Sequence, residues 1–377
     1  MENILCKRRT EKLVEVLKRK GIDGFIFGIS VNMYYFTNFY EVQGERFLAL
    51  LIPSQGEPVF LVPELYYDQI RETTWIKNVI SWVDEENPFE KMAAIIKEKK
   101  LSKAKIAIDD TLRRNFLLAL QERLPQVKFN SGGKFVDILR RIKSDDEKDL
   151  MMHIGSIHDK VLKKAIGAIK IGVSELKIAD LIVNTFKELD TKCASLVPLV
   201  ASGPYSAQPH YRATDKIIAD GDSVILDFTG DWKHYISDMT RTVFVGEPSK
   251  EYLKIYDIVK KAQEAGVKSV KPGRTCEEID QIVRKIIEDE GYGKYFIHRT
   301  GHGLGLEVHE EPYIIEGNKL VIETGMAFSI EPGIYLPGKF GIRIEDCVIV
   351  TENGAEPFTH FTHDLIIIKK SLIQLLN

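Results

Sequence analysis

Apolar residues recur at two spacings along the chain, and each change of spacing marks an element. In "TEKLVEVLKRKG" (Thr10–Gly21), Leu13, Val16 and Leu17 fall at helical intervals between a Thr cap and a terminal Gly, which predicts an amphipathic helix. "GFIFG" and "MYYF" follow as strand-like runs rich in aromatic side chains. "FLALLI" and "PVFLV" flank the turn residues Pro53–Gly56 and predict a hairpin. "KIAIDD" (Lys105–Asp110) reads as a further strand, and "LRRNFLLALQERL" as an amphipathic helix after it. Alternating helix and strand signals make this first third an α/β domain, and it carries no cluster of acids, bases or metal ligands.

The polar patch "RRIKSDDEKD" (Arg140–Asp149) interrupts the pattern and reads as a solvated helix start, with Ser144 as cap and acids in the first turn. Domains of residues 1–138 and 139–377 are expected on either side of it. In the second, helices are readable from about Asp145 to Ile169, after Ser174, and after Thr275, where "TCEE" forms a capping box. The strand runs are "SVILDF", "TRTVFVG", "MAFSIEPGIYL" and "IRIEDCVIVT", so an α+β domain is expected.

Composition narrows the function classes. The 377 residues are 44% hydrophobic and 28% charged with a net charge of −3, which gives no basic footprint for nucleic acid or an anionic membrane. The longest apolar run, "FLALLI", is far short of the roughly 18 residues that span a bilayer. The N-terminus "MENILCKRRTEK" becomes charged at once, with no apolar signal-peptide core. Cys6, Cys193, Cys276 and Cys347 lie far apart, outside any zinc-ribbon or disulfide spacing. A cytoplasmic protein with neither nucleic-acid nor membrane partner is expected.

The candidate chemistry lies in the C-terminal half. "HRTGHGLGLEVHEEP" (His298–Pro312) lacks the GxGxxG spacing of a dinucleotide fold and the Lys-Ser/Thr of a phosphate loop. Its "HEEPY" begins like HExxH, but Tyr313 stands in place of the second His and Pro312 opposes the helix. Elsewhere Asp227, Asp238, Glu331 and Glu345 interrupt four apolar runs whose neighbours favour burial, so each carboxylate needs compensation. A buried salt bridge or a cap would serve any one of them. For all four the supply is short, because Arg241 and Arg343 are the only cations on those strands. A pair of divalent cations needs about four carboxylates and one or two imidazoles, and His302, between glycines that allow close backbone approach, is the natural nitrogen donor. Such oxygen-rich ligands suit Mn, Co, Fe or Zn.

"HRTGHGLGLEVHE", "DF…SDMTRT", "SIEPG" and "IRIED" together resemble the family of proline dipeptidases (prolidases) and aminopeptidases P, which share the pita-bread fold with methionine aminopeptidase and creatinase. The ligand order Asp, Asp, His, Glu, Glu is complete, with spacings of 11, 64, 29 and 14 residues. The resemblance covers about residues 145–370 and extends more weakly to "NMYYFTNF" in a creatinase-like N-terminal cap domain. It implies two divalent metal ions per subunit, with Asp227 on one ion, His302 and Glu331 on the other, and Asp238 and Glu345 bridging. It also implies that Glu331 takes a proton from a metal-bridging water, while His210 and His309 contact the scissile carbonyl. The implied reaction is hydrolysis of the Xaa-Pro bond in small peptides with proline after the first residue, most simply dipeptides. The alternatives are an aminopeptidase P acting on longer peptides and a non-catalytic binding protein on the same fold. A homodimer is what the family implies.

Five further residues bear on substrate and packing. Arg299 is a candidate for reading the substrate carboxylate, and Arg343 for neutralising the acids and contributing to substrate binding. His298 orients its loop or packs. Thr229 departs from the family's small Gly after the first Asp, and Tyr313 stands where some family dipeptidases carry an arginine for the substrate carboxylate.

Overall fold

In the computed structural model, residues 2–369 are described, and the chain divides into units of residues 1–140 and 141–377. In the first, six strands form one sheet in the order 79–82, 59–63, 49–53, 24–27, 105–108, 128–131. The expected hairpin is present, with Ala49–Pro53 antiparallel to Val59–Pro63. Ile26, Leu51, Leu61, Ile106 and the helical Met92, Ile96 and Leu120 make a fully apolar core.

Two local expectations fail here for identifiable reasons. "MYYF" is helical, within Val31–Thr37, although its aromatics favour strands. The Ser30 hydroxyl accepts from the Met33 N–H, and Asn38 closes the helix in the left-handed region at φ 62°. These caps, together with burial of Met33, Tyr35 and Phe36, override the propensity. Thr10 is likewise no cap: the helix begins at Glu2, and the Thr10 hydroxyl donates to the Cys6 carbonyl one turn back.

The second unit is two helix-on-sheet halves. In one, Asp145–Ala168 and Glu175–Glu188 cover a sheet whose central strands are Ser223–Trp232 and Tyr235–Val245. In the other, Lys250–Ser269 and Cys276–Asp289 cover strands Ala327–Ile330 and Asp346–Thr351. The capping boxes Ser144/Glu147 and Thr275/Glu278 start helices where expected. The Lys250–Ser269 helix is an addition to the three expected, although Ser249 caps it and Tyr252, Ile255, Tyr256 and Val259 give it a buried face.

Strand breaks set the positions of the acids. Asp227 and Asp238 lie inside long antiparallel strands, and the register pairs Asp227 with Thr240 and Thr229 with Asp238. All four residues therefore share one face. "MAFSIEPGIYL" is two strands broken at Glu331–Pro332, and "IRIEDCVIVT" is two broken at Ile344–Glu345. A bridge between Thr240 and Glu345 joins the two halves where these acids meet.

Candidate active site

Asp227, Asp238, His302, Glu331 and Glu345 all line one cavity of about 560 Å³, together with His210, His298, Arg299, His309 and Arg343. That volume lies within the range of small-ligand sites. Ligand atoms of Asp238, His302 and Glu345 come within 4.8 Å of one another. Nε2 of His302 lies 3.3 Å from Oε1 of Glu331. Asp227 is on the same strand face as Asp238, and Arg343 donates from Nη2 to its Oδ2.

The glycines flanking His302 have a steric cause. A Cβ at Gly301 would sit 1.8 Å from the Ser329 carbonyl oxygen, and one at Gly303 would sit 2.3 Å from that of Glu311. His302 thus rides a strand pressed between its neighbours, with its backbone N–H donating to the Ser329 hydroxyl at 3.0 Å. Its Nδ1 is 3.1 Å from the Gly303 carbonyl, which can only accept, so Nδ1 carries the proton and Nε2 offers its lone pair to the cavity. Burial, reinforced by His309, pushes His302 down to about 3, so the ring is neutral. A neutral imidazole with a backbone-fixed tautomer is the form that ligates a metal.

The carboxylates show the complementary deficit. Burial, then the charges of Asp227 and Glu331, raise Asp238 well above the usual carboxylate range. Burial, then the charges of Asp238, Glu331 and Asp227, do likewise for Glu345. Glu331 is pushed up to about 7, by burial first, against the opposing pull of Arg343. Glu345 Oε2 accepts from the Thr240 hydroxyl at 2.7 Å, whereas its buried Oε1 has no partner among the described residues. Three buried carboxyl groups face one another beside a single buried guanidinium, with an orphaned oxygen aimed among them. This donor set fits divalent cations on its own chemistry.

Arg343 is committed within the protein. Its Nη1 donates to the Tyr335 hydroxyl at 2.6 Å, its Nε to the Thr240 hydroxyl at 3.2 Å, and its Nη2 to Asp227. His298 completes that chain: Nδ1 meets the Arg299 carbonyl at 2.8 Å, so Nε2 accepts from the Tyr335 hydroxyl at 2.9 Å. Arg299 is the opposite case. Its guanidinium lies 4.4 Å from the Tyr313 ring centre, and among the described residues no acceptor takes a hydrogen bond from it. His309 stands edge to face with His302, ring centres 4.2 Å apart, and burial followed by the Arg299 charge lowers its pKa. His210 is exposed at the rim.

Sequence reasoning left several contributors unassigned. Thr240 holds Glu345, Ser329 holds His302 and Tyr335 holds Arg343 through their hydroxyls, and nothing in a strand pattern separates such hydroxyls from ordinary ones. Cys347 is buried, as expected of a core residue, and its thiol donates to the Asp238 carbonyl at 3.2 Å. His158 is fully buried on its helix, with its ring stacked on Phe228. Among the described residues no helix is long and apolar enough to cross a membrane.

Comparison with known proteins agrees with this geometry. Residues 149–352 match metallopeptidase family M24, and residues 9–142 match the creatinase/prolidase N-terminal domain. An uncharacterized peptidase of Staphylococcus epidermidis is 36% identical over 354 residues, covering 94% of this chain and 99% of its own. The structure of a recombinant prolidase from Thermococcus sibiricus superposes with a TM-score of 0.92 at 40% identity, covering 98% of this chain and 100% of that one. A dipeptidase from Pyrococcus horikoshii gives a TM-score of 0.91 at 39% identity, covering 96% and 100%. The creatinase-like N-terminal domain and pita-bread catalytic domain expected from the sequence are both borne out. The chain belongs to metallopeptidase family M24.

Proposed function

We propose that the protein is a divalent-metal-dependent Xaa-Pro dipeptidase. The observation that carries this reading is the cluster of Asp238, His302 and Glu345, within 4.8 Å of one another in a cavity also lined by Asp227 and Glu331. The two solved relatives, a prolidase and a dipeptidase, support the substrate class. These five residues would hold two ions of Mn, Co, Zn or Fe. The ions would supply Lewis-acid polarisation of the scissile carbonyl and acidification of the attacking water.

The remaining work falls to the chain's own groups. Glu331, on the cavity wall beside His302, is placed to accept a proton from water and return it to the leaving nitrogen. His309, whose pKa burial lowers, donates an N–H to the carbonyl oxygen as negative charge grows there, and His210, exposed on the same cavity, does likewise. Arg299 has its donors free for the substrate's terminal carboxylate, with Tyr313 as the platform that holds its plane. Arg343 is better suited to holding Asp227 than to touching substrate, because its nitrogens are already bonded.

An aminopeptidase P acting on longer peptides is the second reading, favoured by Tyr313, which stands where some family dipeptidases carry an arginine for the substrate carboxylate. Rates on Xaa-Pro and Xaa-Pro-Yaa peptides separate the two. Dipeptide preference is expected, and equal rates would favour the aminopeptidase. Turnover of neither would sink both.

A further inference from the structure

Thr229, which replaces a small residue beside the first acid, makes contacts that explain its presence. Its side-chain oxygen is 2.8 Å from the Ser195 hydroxyl, and its backbone N–H donates to that same hydroxyl at 3.3 Å. Its carbonyl accepts from the Ala194 N–H at 2.9 Å. Three hydrogen bonds from one residue therefore grip residues 194 and 195.

The gripped segment is an excursion from the sheet. Cys193 pairs with Gly230 and Leu199 pairs with Asp227, so residues 194–198 loop out opposite two residues of the Ser223–Trp232 strand, Phe228 and Thr229. Ala194, Ser195, Val197 and Leu199 line the cavity, while Leu196 at the tip is 95% exposed. Leu199 packs against Tyr335 and Ile225, which anchors one end of the excursion, and Thr229 anchors the other. Between these anchors Pro198 is buried but Leu196 and Val197 at the tip are exposed, and segments with so little apolar packing open at low cost.

We infer that the Thr229–Ser195 hydroxyl pair is a latch that sets substrate selectivity by holding the 194–199 segment as the apolar wall of the cavity. Val197 and Leu199 give that wall an aliphatic surface, so its target is an apolar part of the bound peptide. Thr229 and Ser195 are positioning residues. Both also line the cavity themselves, and neither is among the groups assigned to metal or to proton transfer. The inference rests on the peptidase reading for its substrate, though not for the latch itself.

Thr229→Val tests it, because valine keeps the shape and β-branching and removes only the hydroxyl. For the metal-loaded enzyme on an aliphatic Xaa-Pro dipeptide, KM is expected to rise about tenfold with kcat within about twofold, the signature of lost binding alone. Bound metal should be unchanged, and amide hydrogen exchange across residues 194–199 should accelerate. Ser195→Ala should behave alike, the double variant should be no worse than either, and Thr229→Ser should restore wild-type values. An unchanged KM, a parallel fall of kcat and metal content, or failure of Thr229→Ser to rescue would overturn the selectivity role. Unchanged exchange in Thr229→Val would overturn the latch whatever the substrate. Absence of wild-type turnover on every Xaa-Pro peptide would instead defeat the peptidase reading, with the exchange result still deciding the latch.

Discussion

Arg343 and Asp227, 116 residues apart in the chain, form an ion pair at the edge of the acid cluster, with the Arg343 side chain only 3% exposed. Among the described residues Arg343 is the one buried guanidinium lining the cavity with Asp227, Asp238, Glu331 and Glu345, and the partly exposed Arg299 lines it too. Taking several like charges out of water beside a single counter-charge is strongly unfavourable. The folded protein can tolerate the arrangement by holding carboxyl groups protonated or by binding cations, and the proposed function rests on the second state.

Asp238→Asn removes a charge from the centre of the cluster while keeping its shape. Metal affinity should fall by more than the ~10–100-fold that follows loss of an outer hydrogen-bond partner, and peptide hydrolysis should be abolished. Metal analysis after dialysis together with a turnover assay checks both. Retention of both would contradict the assignment of Asp238 as a ligand.

His309→Ala should divide the two properties. His309 lines the cavity beside His302 without belonging to the cluster that lies within 4.8 Å. Turnover is expected to drop by about 10²–10³, the range for loss of one donor to a developing oxyanion, with bound metal retained. A large loss of metal would make His309 a ligand.

His158 provides a pH test away from the metal cluster. Its ring is fully buried against Phe228, and burial, then the Arg241 charge, pushes it down from 6.5 to about 3. The unfolded chain therefore binds a proton that the folded chain refuses between those values. Stability from this group is complete above 6.5 and is lost as pH falls towards 3, at ~1.4 kcal/mol per pH unit. His158→Phe, which keeps the ring, should reduce the loss of unfolding free energy between pH 7 and pH 5 by about 2 kcal/mol. An unaltered pH dependence in urea titrations would show that the imidazole is charged inside the fold.

Lys143 and Glu310 form a second buried pair, 2.7 Å apart with side chains 1% and 7% exposed. It packs beneath Gly305, where a Cβ would meet Glu310 Oε1 at 2.5 Å, and so it braces the loop that carries His309. Lys143→Met should cost ~3–5 kcal/mol, because it takes the cation of a buried ion pair away from its carboxylate. Lys143→Met with Glu310→Leu should recover much of that cost, and denaturant unfolding of the single and double variants reads the coupling.

How much of this was legible in the sequence depended on the kind of signal. Asp227, Asp238, Glu331 and Glu345 stood out because acids in apolar runs conflict with burial, and His302 stood out because two glycines flank it. The structure turns each conflict into a position: two acids within strands and two at strand breaks. "MYYF" misled because aromatic propensity was weighed without the Ser30 and Asn38 caps on either side. The pairs Arg343–Asp227, Lys143–Glu310 and Thr229–Ser195 were beyond reach, since each depends on register between segments 34 to 167 residues apart. Local patterns reveal which groups need a partner, and tertiary register decides which partner they get.

The central claim is that this cluster hydrolyses Xaa-Pro bonds through bound divalent cations. Its most direct test is turnover of an Xaa-Pro dipeptide by chelator-stripped protein before and after adding back Mn, Co, Zn or Fe ions. The account predicts no turnover in the stripped protein and recovery with at least one of these ions. Turnover that survives complete removal of metal, or no turnover with any of the four, would contradict it.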